Sequence, residues 1–337
     1  MGARVSIRTQ KTLNYSSGNR VGENLGRGAV YRDLILRLSG SITSGTTGSN
    51  KDDIERGDEW ALISRIDIIA NGDQVIRSVT GEELQWLNYF WFGPRRLSTA
   101  LGNNADSTSA KAFDSTLIMP FRMPGSVKPM DTALPSHLLS NLRIEVTWAA
   151  TTAMDGGGGV HTTSGIKLVA SSVESVGDDG PFFGSRIFRA DQLSTLSSGQ
   201  EKQIHLPVGN MYRGFLLHTY TSGGVDVDAI DQIVLRSGMN RLVDIKTEPM
   251  REAHLLRTNK RPTTVDLVAA ADVAEEQPFI SPDSKVNGWY WLDLLDNHKM
   301  SELVDTFGLS ELVLETTMDA TAATLDILAF EVVPIRG

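Results

Sequence analysis

The chain alternates between apolar and polar positions in short runs. In the segment LRIEVTW at residues 142–148, every second side chain is apolar, from Leu142 to Trp148, and those between are charged or hydroxylated. Successive side chains of a β-strand point to opposite faces, so this period-two pattern predicts a strand with one buried face. Runs of this kind recur between turn-rich segments, which is typical of antiparallel β-sandwiches.

Two segments instead predict helices. TGEELQWLNYFW at residues 80–91 opens with Thr80, and Glu83 follows three residues later, which is the pattern of a capping box. TEPMREAHLLR at residues 247–257 carries Pro249 in its first turn, where proline is tolerated. We expect one short helix in each half of the chain.

The two halves of the chain repeat one plan. LLSNLRIEVT at residues 138–147 and GLSELVLETT at residues 308–317 share five of their ten positions. Further pairs recur in the same order: VYRDLILRLSG (30–40) with MYRGFLLHTYT (211–221), RIDIIANGDQVIRSV (65–79) with QIVLRSGMNRLVDIK (232–246), and GIKLVA (165–170) with TLDILA (324–329). The second of these pairs predicts a hairpin in each half, because a glycine turn interrupts a β-rich run. The ordered repetition predicts two equivalent domains.

The fold class predicted from this pattern is all-β: two tandem eight-stranded jelly rolls, each with a short helix after its second hairpin. Loops rich in Gly, Ser, Thr, Asn and Asp separate the strands at residues 44–58, 101–112, 151–164 and 257–287. GDDGPFFG at residues 177–184 is the best candidate boundary between the halves. The predicted domains are a basic N-terminal arm at 1–24, a first jelly roll at 25–178 and a second at 179–337.

Composition places the chain among ordinary globular proteins. The sequence has 337 residues, with 41 Asp and Glu against 32 Lys and Arg, which argues against a surface that wraps nucleic acid as a whole. The absence of cysteine excludes disulfides and thiolate metal sites and favours assembly inside a reducing cell. No run approaches the ~18 apolar residues of a membrane span, and the first ten residues lack the apolar core of a signal peptide.

Positive charge is concentrated at the N-terminus. Arg4, Arg8, Lys11 and Arg20 precede the first acidic residue, Glu23, in a segment rich in small polar residues. This composition predicts a flexible basic arm that contacts an acidic partner. The alternatives are a frayed terminus with incidental charge, and a strand with the apolar residues Val5, Ile7, Leu13 and Tyr15 that pairs along an adjacent subunit.

No pattern in the sequence indicates catalysis. Cupin-type metal chemistry needs histidines one residue apart on a strand, whereas the six histidines are widely spaced: His137, His161, His205, His218, His254 and His298. The G-x-S-x-G, Walker and H-E-x-x-H motifs are absent. We therefore expect no catalytic, cofactor-binding or metal-ligating residues and no enzyme activity. Structural calcium at DVDAID (Asp226, Asp228 and Asp231) or at KDDIERGDE (51–59) remains open.

Two aromatic clusters could bind sugar rings or pack internally. They are WLNYFWFG at residues 86–93 and GWYWLDLL at residues 288–295. Large aromatic side chains are usually buried, so we expect packing at the open end of a sandwich.

The ordered duplication, the helix after each second hairpin and the lack of a catalytic motif resemble the double-jelly-roll major capsid proteins. This family builds tailless icosahedral viruses, including bacteriophages of the corticovirus, finnlakevirus and tectivirus type. The resemblance covers about Val30 to Val333 and is architectural, so it assigns no individual functional residue. It implies a homotrimer that stands as a pseudo-hexagonal capsomer in an icosahedral virion shell assembled in the host cytoplasm. The implied partners are further copies of the chain, minor capsid and penton proteins, and internal membrane lipid or genome through the basic arm.

Two other functions stay open at the level of sequence. The first is a β-sandwich carbohydrate-binding or host-attachment protein, such as a spike or lectin. The second is a hydrolase on a double jelly roll. Specific glycan binding by a soluble monomer would favour the first, and turnover that depends on one carboxylate would favour the second.

Overall fold

The structure is a computed structural model. It describes residues 4–44, 58–93, 110–154, 161–176, 183–222, 224, 226–257, 288–295 and 299–334. Most of the four predicted loops, and residues 177–182 of the predicted boundary, lie outside the described residues. Neither helix within the described ranges has the length and apolar character that a membrane crossing requires.

The first half forms one β-sandwich. Its elements are β1 (Arg4–Asn14), β2 (Arg20–Asn24), β3 (Val30–Ser44), β4 (Ile63–Ala70), β5 (Gln74–Val79), α1 (Gly81–Phe92), β6 (Lys111–Pro120), β7 (Leu134–Pro135), β8 (Leu142–Trp148) and β9 (His161–Val176). One sheet has the order β1-β9-β3-β6, with β7 beside β3, and the facing strands have the order β2-β8-β4-β5.

The second half repeats this arrangement. Its elements are β10 (Phe183–Leu196), β11 (Glu201–Leu206), β12 (Met211–Tyr220), β13 (Ile230–Ser237), β14 (Asn240–Lys246), α2 (Thr247–Arg257), β15 (Trp289–Asp293), β16 (Val304–Asp305), β17 (Leu312–Met318) and β18 (Ala322–Pro334). The strand orders are β10-β18-β12-β15, with β16 beside β12, and β11-β17-β13-β14. Short 3-10 turns lie at Asp58–Leu62, Pro129–Thr132, Ser136–Leu138, Thr151–Met154 and Met300–Glu302.

The predicted duplication is confirmed. The repeated decapeptides lead into β8 and β17, and each of these strands lies second in its four-strand order, between strands that also correspond. The correspondence extends to side chains. The hydroxyl of Tyr31 donates to the carbonyl of Gly26 at 2.6 Å, and that of Tyr212 donates to the carbonyl of Pro207 at 2.7 Å. Each tyrosine thus ties its strand to the residue five positions earlier.

The predicted arm at 1–24 is wrong for residues 4–24. β1 pairs with β9 in antiparallel register from Arg4 opposite Val176 to Asn14 opposite Lys167, and β2 pairs with β8. The first jelly roll therefore begins at β1. The segment looked flexible because β1 is an edge strand that inserts only Leu13 fully into the core. An edge strand is held mainly by its backbone hydrogen bonds to the neighbouring strand, which composition does not reveal.

The two jelly rolls share one continuous sheet. β5 of the first roll pairs in parallel with β10 of the second, with Arg77 opposite Ile187. This contact joins the β2-β8-β4-β5 strands to the β10-β18-β12-β15 strands.

Three second-roll strands of this joined sheet, β12, β15 and β18, are buried on both faces over most of their length. In β15, Tyr290 and Leu292 lie in the core of the second roll, while Trp289 and Trp291 lie in a cluster continuous with the first roll. A strand packed on both sides has no polar face. This explains why WYWLD does not alternate.

Candidate functional site: the joint between the jelly rolls

The cations expected to form a free basic arm are engaged with the first jelly roll. Arg8 lies 3.5 Å from the carboxylate of Glu174, and Lys11 lies 3.2 Å from that of Glu23. Arg20 approaches the carboxylate of Asp67 at 3.2 Å and also contacts that of Glu145. Arg4 begins β1, and its side chain lies outside the described residues. These pairs neutralise the charge that was expected to attract an acidic partner.

The acidic stretch at residues 226–231 does not form a single calcium loop. Asp228 makes a bidentate contact with Arg251 and accepts from the backbone amide of Gly288 at 2.7 Å. These hydrogen bonds hold the pKa of Asp228 below its usual value, although partial burial opposes them. Asp231 lies 3.4 Å from the ammonium of Lys246.

Asp226 turns away from the other two aspartates, towards His218. Asp226, His218 and Glu82 each offer one metal-ligand atom, and these three atoms lie within 4.8 Å of one another. It is the one grouping of at least three potential metal ligands found within the described residues. Residues 51–57 of the second acidic stretch lie outside them.

A buried arginine stands at the joint. Arg77 is fully buried, and its guanidinium donates to the carbonyls of Pro120 and Ile76 at 2.9 and 2.8 Å, and to the carbonyl and hydroxyl of Ser185. Burial lowers the pKa of Arg77 to about 9. Because Ser185 belongs to β10, this one side chain links backbone groups of both rolls.

Helix α1 fills the space between the rolls with aromatic rings. Its capping box is present as predicted, since Glu83 N donates to the hydroxyl of Thr80 at 3.0 Å and Thr80 N donates to the Glu83 carboxylate at 2.6 Å. Trp86 stacks on Trp289 of the second roll, with ring centroids 5.4 Å apart. Trp91 meets Trp291 edge to face at 5.8 Å.

These contacts confirm that the two aromatic clusters serve packing, but the rings pack between the two rolls and not at the open end of one sandwich. Trp289 is 1% exposed and Trp291 4% exposed, so neither offers a ring face to a sugar. The aromatic rings instead contribute apolar contact between the rolls, with the edge and offset geometries that aromatic pairs prefer.

An ion-pair bridge also crosses the joint. Arg189 of β10 lies 2.7 Å from the carboxylate of Glu83 in α1 and 2.9 Å from that of Asp326 in β18. Burial raises the pKa of Glu83, and the guanidinium of Arg189 offsets part of that rise. The two carboxylates raise the pKa of Arg189 against its own desolvation.

Within the described residues, the two strand edges that correspond to this joint are unpaired. β1 corresponds to β10, and β14 corresponds to β5, yet within the described ranges no strand pairs with the outer edge of either. Both edges carry exposed apolar residues: Val5 at 50% and Ile7 at 66% on β1, Leu242 at 44% on β14, and Met239 at 101% in the turn before it. Unpaired strand edges with apolar side chains are templates for pairing with another chain.

Sequence inspection missed the joint because its parts are distant in the chain. Arg77 looked like a polar residue of an alternating strand, and His218 looked isolated. The one available signal was the loss of alternation in MYRGFLLHTY and WYWLD, where consecutive apolar residues indicate burial on both faces.

No family model matches the sequence, and no curated protein matches it. Solved structures do. The major capsid protein of Sulfolobus Turreted Icosahedral Virus (STIV) aligns with a TM-score of 0.74 at 12% identity, over 98% of this chain and 97% of that chain. The major capsid protein P2 from bacteriophage PM2 aligns with a TM-score of 0.63 at 14% identity, over 99% and 98% of the two chains. The quasi-atomic PBCV-1 virus capsid aligns with a TM-score of 0.59 at 12% identity, over 98% and 94%. The chain thus has, from end to end, the double-jelly-roll fold of these viral major capsid proteins.

Proposed function

We propose that the protein is a structural major capsid protein of an icosahedral virus. The observation that carries this proposal is the end-to-end match, because the chain covers 97% of the STIV protein and 98% of the PM2 protein. Both structures are named as capsid subunits, and the match extends over their two rolls, so the likeness is to a whole capsid subunit.

The free edges support assembly as a homotrimer. A contact like that between β5 and β10, formed between β14 of one copy and β1 of the next, is a head-to-tail interface. Such an interface closes into a ring when its rotation allows. Three chains would then supply six similar joints, three within chains and three between them. The product is a pseudo-hexagonal capsomer.

Further partners follow from the same proposal. Neighbouring capsomers would tile the shell of the virion, assembled in the host cytoplasm, and minor capsid and penton proteins would complete it. Contacts with internal lipid or genome stay predictions, and residues 4–24 do not supply them as a free arm.

Electron microscopy of the purified full-length chain tests the function. We expect three-fold particles with a pseudo-hexagonal outline that associate into closed shells or flat hexagonal sheets. Dispersed monomers that bind a defined glycan would overturn the capsid assignment in favour of the host-attachment alternative. Buried Trp289 and Trp291 do not support that alternative.

A further inference from the structure

The side chains of Glu82, His218 and Asp226 converge from three separate segments of the chain. Glu82 lies in the first turn of α1, His218 lies on β12, and Asp226 follows β12 in the loop that leads to β13. One ligand atom of each lies within 4.8 Å of the others. We propose that these three residues bind one divalent transition-metal ion, with Zn²⁺ as the best match, and so fasten the first jelly roll to the second.

The donor set matches zinc. Zn²⁺ binds imidazole nitrogen at about 2.0–2.1 Å and carboxylate oxygen at about 2.0–2.2 Å, and three protein ligands plus one water complete a tetrahedral site. Two carboxylates and a neutral imidazole balance the charge of a divalent ion. Calcium prefers six to eight oxygen ligands, so the imidazole disfavours it here.

The histidine is held in place before any metal binds. His218 is 4% exposed, and its ring stacks on that of Trp289 with centroids 3.6 Å apart and planes 8° from parallel. Its Nε2 lies 2.8 Å from Oδ1 of Asp226, so these two ligand atoms already share one site. Little ordering remains to be done on binding, which favours affinity.

The aspartate is oriented by a residue behind it. The indole Nε1 of Trp289 donates to Oδ2 of Asp226 at 3.1 Å. Hydrogen bonds of this kind to the distal atom of a ligand direct its other oxygen towards the metal. Trp289 therefore positions both ligands of the second roll, one through stacking and one through its N–H group.

The third ligand comes from the other roll. Glu82 is half-buried at the start of α1, next to Glu83, whose own carboxylate binds Arg189. Arg189 also contacts the carboxylate of Asp326. A bound ion would link α1 of the first roll directly to β12 of the second, beside the aromatic contacts of the joint.

Zinc titration of the full-length chain, monitored by calorimetry and thermal unfolding, tests the site. We expect one Zn²⁺ per chain and a higher melting temperature in zinc than in EDTA. Glu82→Gln keeps the shape of the side chain and removes its charge, so it should weaken binding by at least about tenfold. Asp226→Asn should do the same.

Glu248→Gln is the matched control, because Glu248 is the acidic residue in the first turn of α2, the corresponding helix of the second roll. It should bind zinc as the parent chain does. Circular dichroism in EDTA should give equal folded content for all three variants. X-ray absorption of the zinc-loaded protein should detect one imidazole nitrogen with oxygen neighbours.

Three results would overturn the proposal: equal zinc affinity in Glu82→Gln and the parent chain, an absorption spectrum without imidazole, or calcium displacing zinc at equal concentration. None of these measurements depends on shell formation. The metal-site proposal can therefore be wrong while the capsid proposal holds, and the capsid proposal can be wrong while the metal site is present.

Discussion

The joint inside the chain and its two free counterparts use the same strands but different side chains. Beside the joint, α1 has five Trp, Tyr or Phe residues among its twelve, whereas α2, which corresponds to it in the second roll, has none. The buried Arg77 of β5 corresponds to Val243 of β14, since each lies opposite a matching residue of the preceding strand, Ile68 or Leu235. Duplication kept the backbone geometry and changed the chemistry at the contact.

The proposed assembly explains the difference by when each contact would form. The joint between β5 and β10 forms as one chain folds, so it can bury aromatic rings and a fully bonded arginine without leaving them exposed on the folded chain. The edges of β1 and β14 are exposed on the separate chain. A large aromatic surface there would cause aggregation, and isolated apolar residues on polar strands are compatible with a contact that forms later.

The largest expected effect is loss of an aromatic ring at the joint. Trp289→Ala removes a ring that stacks between Trp86 and His218, so it should lower the free energy of unfolding by about 3–5 kcal/mol. Chemical denaturation measures the change. Phe307→Ala, at a residue that is 48% exposed, is the control and should change stability by about 0.5 kcal/mol or less. Equal effects of the two variants would mean that the joint does not stabilise the chain.

The matched tyrosines of the two rolls predict a loss of stability at high pH. Desolvation, together with the nearby Glu174 carboxylate, raises the pKa of Tyr31 from 10.0 to about 12. The unfolded chain then releases this proton first, so the contribution of Tyr31 to stability is constant below pH 10 and falls as pH rises from 10 to 12. We expect Tyr31 to account for a loss of about 2 kcal/mol by pH 12, where the hydroxyl is ionised in the unfolded chain and half ionised in the folded one.

Desolvation and Glu331 raise the pKa of Tyr212 in the same direction. The denaturant midpoint should fall less steeply between pH 9 and 12 in Tyr31→Phe than in the parent chain, and less steeply still in Tyr31→Phe/Tyr212→Phe. A double variant with the same alkaline decline as the parent chain would exclude the tyrosines as its source.

Two buried arginines at the joint should respond in opposite ways. Arg77→Met strands the carbonyls of Pro120 and Ser185 and should cost about 1–3 kcal/mol. In Arg213, by contrast, Nε and Nη1 have no hydrogen-bond partner among the described residues, and Asp293 is 3.7 Å from the guanidinium. Arg213→Met should therefore be neutral or stabilising. Equal destabilisation by both would show that hydrogen bonding does not distinguish them.

Single charges on the free edges should have the smallest effect on folding. Ile7→Lys on β1, at a residue that is 66% exposed, should change the free energy of unfolding by about 0.5 kcal/mol or less. The same variant should weaken association between chains, measured by light scattering across a dilution series. Val127→Lys, at a residue that is 68% exposed and belongs to neither β1 nor β14, should leave association unchanged. If both variants weakened association equally, the β1 edge would not be the surface through which the chains associate.

The sequence predicts the duplication well, but it predicts poorly the edge strand β1 and the contacts between the two rolls. Alternation in LRIEVTW, and its copy at residues 308–317, places β8 and β17 correctly because one buried face imposes a period of two. β1 was missed because an edge strand needs little apolar surface. Glu82, His218 and Asp226 were not grouped because Glu82 belongs to the first roll and the other two belong to the second. No local sequence pattern indicates which surfaces of the two rolls pack together.

Correspondence between the rolls gives a register for the contact between chains. Ile187, opposite Arg77 at the joint, pairs with Phe330 of β18. Val173 is the residue of β9 that corresponds to Phe330, and it pairs with Ile7 of β1. In the proposed assembly, Ile7 and Val243 should therefore face each other where β1 of one copy meets β14 of the next.

Disulfide trapping of this pair is the most direct test that the joint within the chain is repeated between chains. The chain has no cysteine, so Ile7→Cys/Val243→Cys introduces the only two thiols, and neighbouring strands bring paired residues within disulfide range. After mild oxidation, denaturing electrophoresis should resolve a closed species of three 36.7 kDa chains. Each single-cysteine variant should form no trimer. A double variant that stays monomeric, stops at a dimer or extends into an open ladder would contradict the account.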